Sequence, residues 1–301
     1  MAERAEYRIV SLLGEGATGR VELAQTTSGQ LVALKTVHQH LAADRGFREL
    51  FRREATAAHT VGGPFTAAVV DGGIENGQPW LATEFCVGPA LVETVSTLGP
   101  LDPPSLGTLG TALTVALSAL HAAGLVHRDL KPAHVIVTRG GPKVVGFGAG
   151  YPEDAPGTLG FVAPEQLTPD AQVGPPADVF GLGVLLALSS TGRNPHGSGG
   201  AEKVLHRTLH EAPDLIGVPG AQWPGFIGQC LAKRPADRPT VPEALAWCAG
   251  QAAPVPWWEQ EPMFGVIREH EDEVTELLGF GDADSVDDAD DDAATDLWRR
   301  G

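Results

Sequence analysis

The chain has 301 residues, of which 43% are hydrophobic, so it is long enough for one large core or two small ones. Its net charge is −17, and residues 251–301 hold 15 Asp and Glu against three Arg, or −12, which leaves −5 for the rest. Nucleic acids and anionic membranes are polyanions that this charge repels, so we expect neither as a partner.

The distribution of apolar residues and cysteines indicates the compartment. No apolar run approaches the roughly 18 residues that a membrane span requires, and the N-terminal residues carry charges of both signs instead of an apolar signal segment. The three cysteines are far apart and odd in number, which fits neither a disulfide framework nor a zinc site. We therefore expect no membrane span and a cytoplasmic location.

The predicted elements change in type along the chain. Tyr7–Phe85 consists of short runs of strand-forming residues with one predicted helix from about Asp44 to Thr60. Ser28-Gly29-Gln30 separates two alternating runs and predicts a hairpin turn. Helical periodicity follows in Leu106–Ala123 and Asp178–Thr191. The sequence therefore predicts a strand-rich part followed by a mainly helical one.

The C-terminal segment differs from both parts. Beyond Ala249 the chain is rich in Gly and Pro, and the run DADSVDDADDDAATD near its end has a charge density that predicts disorder. Residues 257–280 combine aromatic residues with an amphipathic stretch. We expect this stretch to pack on the helical part or on a partner.

Three features of the strand-rich part are compatible with nucleotide binding. Gly14-x-Gly16-x-x-Gly19 lies between two strand-like runs, where small residues let backbone N–H groups close over phosphates. Lys35 ends the apolar run VALK, and Glu54 lies on the predicted helix. Alone, each has a simpler explanation, because glycines are common in hairpin turns and single charges are usually solvated.

The order of motifs favours one family. HRDLKP at His127–Pro132 and APE at Ala163–Glu165 follow the glycine motif, and DVFGLG and CLAKRPADRPT follow in turn. Residues 7–250 thereby resemble the protein kinase family, in particular the eukaryotic-like (Hanks-type) serine/threonine kinases of bacteria. The resemblance implies an α+β fold of two lobes, with a β-rich N-lobe at 1–88 and a helical C-lobe at 89–250. The composition adds a partly disordered acidic tail at 251–301.

The resemblance also implies an ATP site. It assigns Gly14, Gly16 and Gly19 to the phosphate-covering loop, Lys35 and Glu54 to a phosphate-binding ion pair, Val21, Ala33 and Ile136 to the two sides of the adenine ring, Thr83 to the gatekeeper position, and Glu84 and Cys86 to the hinge. It further implies a structural ion pair between Glu165 and Arg238, and a carboxylate at Asp178 that anchors the large lobe.

Two positions depart from the family pattern. His134 stands where the family has the Asn of its catalytic loop, and Gly146 stands where it has the Asp of D-F-G. Both expected Mg²⁺ ligands are missing, and Mg²⁺ requires oxygen ligands in octahedral geometry, so we expect no metal to bind there in the usual way. Asp129 and Lys131, which resemble the catalytic base and the γ-phosphate contact, are retained.

These departures leave three hypotheses open. The first is a pseudokinase that regulates or scaffolds a protein partner or client and binds ATP with little dependence on Mg²⁺. The second is a weakly active serine/threonine kinase with atypical, metal-independent transfer, in which Asp129 and Lys131 are catalytic. The third is an interaction module with an empty cleft, in which Asp129 serves only local hydrogen bonds.

Overall fold

The first lobe is an antiparallel sheet. The computed structural model describes residues 6–148, 158–168 and 171–279. The sheet has five strands in the order β1-β2-β3-β5-β4. They are β1 (Arg8–Gly16), β2 (Gly19–Gln25), β3 (Leu31–Val37), β4 (Val69–Glu75) and β5 (Gln78–Glu84). The predicted hairpin joins β2 to β3, and Gly29 in it has a left-handed φ of 87°.

Helices α1 (Gln39–Ala42) and α2 (Arg45–Ala58) follow β3. Helix α2 begins after Asp44, whose carboxylate accepts a hydrogen bond from Phe47 N at 2.7 Å and so satisfies a free N–H of the first turn. Phe47, Phe51 and Ala55 recur at four-residue spacing and are buried with Val37 and Leu81 of the sheet. This packing fixes the position of α2 against the sheet and therefore that of Glu54.

The second lobe is mainly helical. It contains one two-stranded sheet, β6 (Val135–Thr138) with β7 (Gly141–Val144). Its helices are α3 (Leu91–Leu98), α4 (Pro103–Ala122), α5 (Pro175–Thr191), α6 (Ala201–His210), α7 (Trp223–Cys230) and α8 (Val241–Ala249). The predicted α+β arrangement of a β-rich N-lobe and a larger helical C-lobe is confirmed.

Helices α4 and α5 form the centre of the second lobe. Both are apolar around most of their circumference, as expected of helices enclosed by other elements. By length and composition α4 is the one helix in the described residues that could cross a membrane, but 61% of its apolar window is buried inside the domain. Its hydropathy therefore agrees with a core position.

Beyond α8 the chain packs back onto the domain. Helix α9 (Met263–Gly279) follows a short turn at Trp257–Glu259. Trp258, Met263 and Ile267 are buried in the core of the large lobe. The expectation that residues 257–280 pack on the helical part is met as far as Gly279, and the acidic run predicted to be disordered lies outside the described residues.

Candidate active site

The loop that carries His127 and Arg128 is shaped by a buried carboxylate on α5. Asp178 accepts hydrogen bonds from the backbone N–H groups of His127 and Arg128, each at 2.9 Å, and lies 2.7 Å from His121 Nε2. Arg128 has a left-handed φ of 65°, which is uncommon for a residue other than glycine. The two hydrogen bonds to Asp178 hold this backbone conformation.

Asp129, Lys131 and Thr158 form a compact polar cluster. The Asp129 carboxylate lies 2.9 Å from Lys131 Nζ and accepts a hydrogen bond from Thr158 N at 3.1 Å. Lys131 Nζ also donates to Thr158 Oγ1 at 2.9 Å. Burial favours the neutral acid, but the charge of Lys131 and the hydrogen bonds from Lys131 and Thr158 outweigh it and lower the pKa of Asp129. An ionised Asp129 therefore lies beside the ammonium of Lys131.

His134 is an uncharged side chain beside that cluster. Burial, and then the charge of Lys131, lowers the pKa of His134 to about 3. Its Nδ1 lies 2.8 Å from the Asp129 carbonyl oxygen, which can only accept, so Nδ1 carries the proton and Nε2 keeps its lone pair. His134 therefore adds no positive charge to the cleft near pH 7.

The imidazole of His134 lies beside Gly146. A Cβ atom added at Gly146 would be 3.2 to 3.3 Å from three atoms of that ring. Gly146 also has a left-handed φ of 85°, which strains most side chains. The two departures from the family pattern are thus in contact, and the histidine fills space that a side chain at position 146 would need.

A family-type Mg²⁺ site does not fit these residues. Gly146 offers no side-chain ligand, and His134 offers an imidazole nitrogen where Mg²⁺ requires oxygen. Within the described ranges, no cluster of three or more His, Cys, Asp and Glu side chains could hold a metal ion.

Lys35 is a half-buried cation at the cleft. Burial lowers its pKa to about 8, opposed by Asp129 and Glu54, while Lys131 lowers it further. Among the described residues it forms no ion pair within 4.0 Å. The predicted pairing with Glu54 is not among the ion pairs seen there, since Glu54 lies 3.9 Å from Arg128 Nη1 instead. An anionic ligand would supply the negative counter-charge that Lys35 lacks among the described residues.

The three glycines of the β1–β2 turn play unequal parts. A Cβ at Gly19 would lie 2.3 Å from the Thr36 carbonyl oxygen, so only glycine fits there, whereas Gly14 and Gly16 have nothing within 4 Å of an added Cβ. The Gly16 carbonyl lies 2.8 Å from His38 Nε2, which ties the turn to the end of β3. The open space at Gly14 and Gly16 is compatible with phosphates.

The predicted adenine-flanking residues are placed by strand register. Val21 of β2 is paired with Lys35 of β3, and Ala33 of β3 with Thr83 of β5. Ile136 lies on β6 in the other lobe and is half-buried. The sheet thus groups Val21 and Ala33 with Lys35 and Thr83, and Ile136 belongs to the other lobe.

The segment after β5 joins the two lobes. The Glu84 side chain contacts Lys143 Nζ at 3.1 Å and accepts from Ala68 N at 3.2 Å, so only its backbone is available to a nucleotide. Cys86 is buried, and burial raises its pKa to about 12, so the thiol stays protonated. A nucleotide could therefore contact these two residues only through their backbone groups, and the predicted hinge role stays a prediction.

Comparison with known proteins decides the family. The profile described as "Protein kinase domain" matches residues 7–247. The chain belongs to the protein kinase family. A probable serine/threonine-protein kinase, PkwA, of Thermomonospora curvata is 39% identical over 80% of this chain and 33% of its own length. The serine/threonine-protein kinase AfsK of Streptomyces coelicolor is 39% identical over 81% of this chain and 31% of its own. The chain thus spans about a third of these relatives.

A solved structure extends the likeness to three dimensions. The PknI kinase domain of Mycobacterium tuberculosis has a TM-score of 0.68 and 28% sequence identity, over 83% of this chain and 98% of that chain. The kinase fold and the relationship to Hanks-type bacterial serine/threonine kinases are therefore established.

Sequence reasoning did not identify several residues of the site. Thr158 contacts both Asp129 and Lys131, His38 holds the glycine turn, and Lys143 binds the hinge carboxylate. Thr158 lies five residues before Ala163-Pro164-Glu165, and that fixed spacing from a recognised motif was the available signal. His38 and Lys143 have no such marker in the sequence.

Proposed function

We propose that this kinase-family domain binds ATP with little dependence on Mg²⁺ and acts as a pseudokinase that regulates or scaffolds a protein partner. The observation that carries the proposal is that His134 and Gly146, which lie side by side, offer no oxygen ligand at either expected metal position. The proposal includes a cytoplasmic location.

Nucleotide binding is supported by Lys35, a cation in the cleft that forms no ion pair with another described residue. Lys35 would bind the phosphates. Burial disfavours the charged form of this lysine, and the negative charge of the phosphates would stabilise it. Gly14 and Gly16 would let backbone N–H groups approach the phosphates, and the backbone at Glu84 and Cys86 would hold the adenine. The absence of a carboxylate at position 146 also removes a charge that would repel a metal-free triphosphate.

Loss of turnover follows from the same geometry. Phosphoryl transfer depends on positioning and on neutralising the charge that develops on the phosphoryl oxygens, a task that metal ions perform in this family. Removing one transition-state partner lowers the rate by about 10²- to 10³-fold. Two missing ligands should leave little transfer, although ATP still supplies a reactive γ-phosphate.

A weakly active serine/threonine kinase is the second candidate, and one cluster favours it. Asp129 is held ionised beside Lys131 and Thr158, as a base for a substrate hydroxyl would need to be. The relatives named above are described as serine/threonine kinases. The comparisons favour this candidate over the pseudokinase, so Asp129 and Lys131 are catalytic if transfer is found.

A thermal-shift titration tests the binding part of the proposal. ATP is added to the purified chain in buffer with Mg²⁺ and in buffer with EDTA, because a ligand that binds only the folded state must raise its melting temperature. We expect similar shifts in both buffers. A shift confined to Mg²⁺ would contradict metal-independent binding, and no shift in either buffer would favour an empty cleft.

A further inference from the structure

The segment after the family match packs against the region between the lobes. We define residues 257–279, which comprise the turn at Trp257–Glu259 and helix α9, as the strap. The family profile ends at residue 247, ten residues before the strap begins. Trp258 is 4% exposed and Ile267 is fully buried, so these two side chains anchor the strap in the core.

The strap contacts the turn between β6 and β7. Arg139 in this turn shares its Nε–H between the two oxygens of the Glu271 carboxylate, at 2.6 and 2.8 Å, and its Nη2 donates to one of them. Its guanidinium lies 4.4 Å from the centre of the Phe264 ring. Gly141 has a φ of 104°, and a Cβ there would lie 2.9 Å from Phe65 and 3.1 Å from Trp258. The turn therefore fits the strap closely.

A second set of contacts runs from the strap to the hinge. Trp258 packs edge-on against Phe65 with ring centres 6.4 Å apart, and the Phe65 carbonyl accepts from Val144 N of β7 at 2.8 Å. The neighbouring Lys143 donates to Thr66 O at 3.3 Å and to the Glu84 carboxylate at 3.1 Å. Contiguous contacts thus connect the strap to the first hinge residue.

Both sets of contacts end at the nucleotide site. The turn held by Arg139 belongs to the hairpin whose first strand carries Ile136 and whose second strand leads, after Val144, to Gly146. The second route ends at Glu84. Chains of packed side chains and hydrogen bonds of this kind can carry energetic coupling between two sites.

We propose that the strap is a built-in positioning element for the nucleotide site, with Arg139, Glu271 and Trp258 as positioning residues. None of the three touches the proposed ligand. Undocking the strap frees the β6–β7 hairpin and the hinge, so ATP must order them and binds more weakly. By reciprocity, bound ATP strengthens docking of the strap. The inference rests on the proposed nucleotide binding.

A charge-swap cycle tests the inference in the full chain. Arg139→Glu places two carboxylates together and removes the cation over Phe264, and Glu271→Arg places two cations together. The double variant restores an ion pair of reversed polarity. Arg234→Glu is the matched control, because it places a carboxylate beside Asp237, the partner of Arg234 in an exposed ion pair of 3.8 Å, away from the strap. ATP affinity is measured by calorimetry at a temperature where every variant is fully folded.

The expected result is a split between the variants. Each single swap weakens ATP binding by about fivefold, the low end of typical coupling between sites, and the double variant recovers most of the loss. In the wild type, ATP slows amide hydrogen exchange in residues 263–279. The inference would be overturned if hydrogen exchange shows the strap undocked in Arg139→Glu while this variant binds ATP as tightly as the wild type. The proposed function would remain intact.

Failure of the proposed function gives a different result. If the wild type binds no ATP, nucleotide binding is refuted, and hydrogen exchange at residues 83–88 then decides the positioning role. Faster exchange there in Arg139→Glu but not in Arg234→Glu supports the role. Unchanged exchange in both variants refutes it.

Discussion

Two regions of the C-lobe differ in how far they keep the family pattern. The first, which we call the anchor network, comprises Asp178, Glu165 and Arg238. Arg238 binds Glu165 through two hydrogen bonds of 2.6 and 2.7 Å, both side chains are buried, and Asp178 holds the catalytic loop. The second, the metal positions His134 and Gly146, has lost the ligands that Mg²⁺ requires.

The difference shows which parts of a kinase domain serve its shape and which serve metal chemistry. A broken buried ion pair leaves a charge in the core, which destabilises the whole domain. A missing metal ligand at the cleft leaves the fold unaffected. Substitutions in the anchor network should therefore change stability, and substitutions at the metal positions should change ligand binding.

The largest expected effect is on stability. Arg238→Met leaves the buried Glu165 without its partner, which costs about 3–5 kcal/mol of unfolding free energy. Urea denaturation followed by circular dichroism measures the loss. Arg234→Met removes an exposed arginine nearby and should change stability by less than about 1 kcal/mol. A similar small loss for Arg238→Met would show that the anchor network is not structural.

The next effect concerns the cation of the cleft. Lys35→Met should weaken ATP binding by about 2–5 kcal/mol, because the phosphates lose their buried partner. Lys35→Arg keeps a charge at all accessible pH values. The wild type should lose ATP affinity as pH rises through about 8, because Lys35 loses its proton there. The arginine variant should show no such loss. Calorimetry between pH 6.5 and 9.5 measures both curves, and wild-type affinity in Lys35→Met would refute this site.

A pair of substitutions should restore metal dependence. Gly146→Asp alone places its Cβ against the His134 ring and should gain nothing. Together with His134→Asn it recreates the oxygen ligands, and ATP should bind roughly tenfold or more tightly in Mg²⁺ than in EDTA. The matched control is Gly146→Ala with His134→Asn, which has the same backbone strain without the carboxylate. Equal Mg²⁺ dependence in the control would contradict the assignment.

The smallest effect lies beside the anchor network, at His196. Its ring stacks on Phe180 with centres 5.5 Å apart, and neither ring nitrogen has a hydrogen-bond partner among the described residues. Burial, followed by Lys233 and Arg207, lowers its pKa to about 4. The unfolded chain therefore binds the proton more readily, and stability is lost as pH falls from about 6.5 towards 4.

Substitution of His196 should remove that loss. His196→Phe keeps the stack without unpaired nitrogens, so we expect a gain of about 1 kcal/mol at pH 7 and a larger gain at pH 5. His210→Phe, on an exposed part of α6, is the control and should leave the pH dependence unchanged. A parallel pH dependence in wild type and His196→Phe would show that His196 does not titrate on unfolding.

The sequence predicted the parts of the site that motifs mark. The glycine turn, Lys35, Asp129 and the two altered metal positions were all found from their order along the chain. The proximity of Glu54 to Arg128, and not to Lys35, was not predictable, because it depends on how α2 packs against the loop that carries Arg128. The contact between His134 and Gly146 was equally hidden, since a one-dimensional pattern gives no side-chain direction. The strap was visible only as an amphipathic stretch.

The most direct test of the central claim uses the unaltered protein. Transfer of radiolabelled phosphate from ATP to itself and to a general protein substrate is measured with Mg²⁺ and with EDTA, beside Asp129→Ala. We expect that wild type and Asp129→Ala are both at background in either buffer, while ATP still binds. Phosphorylation by the wild type that disappears in Asp129→Ala would contradict the pseudokinase proposal and establish an active kinase.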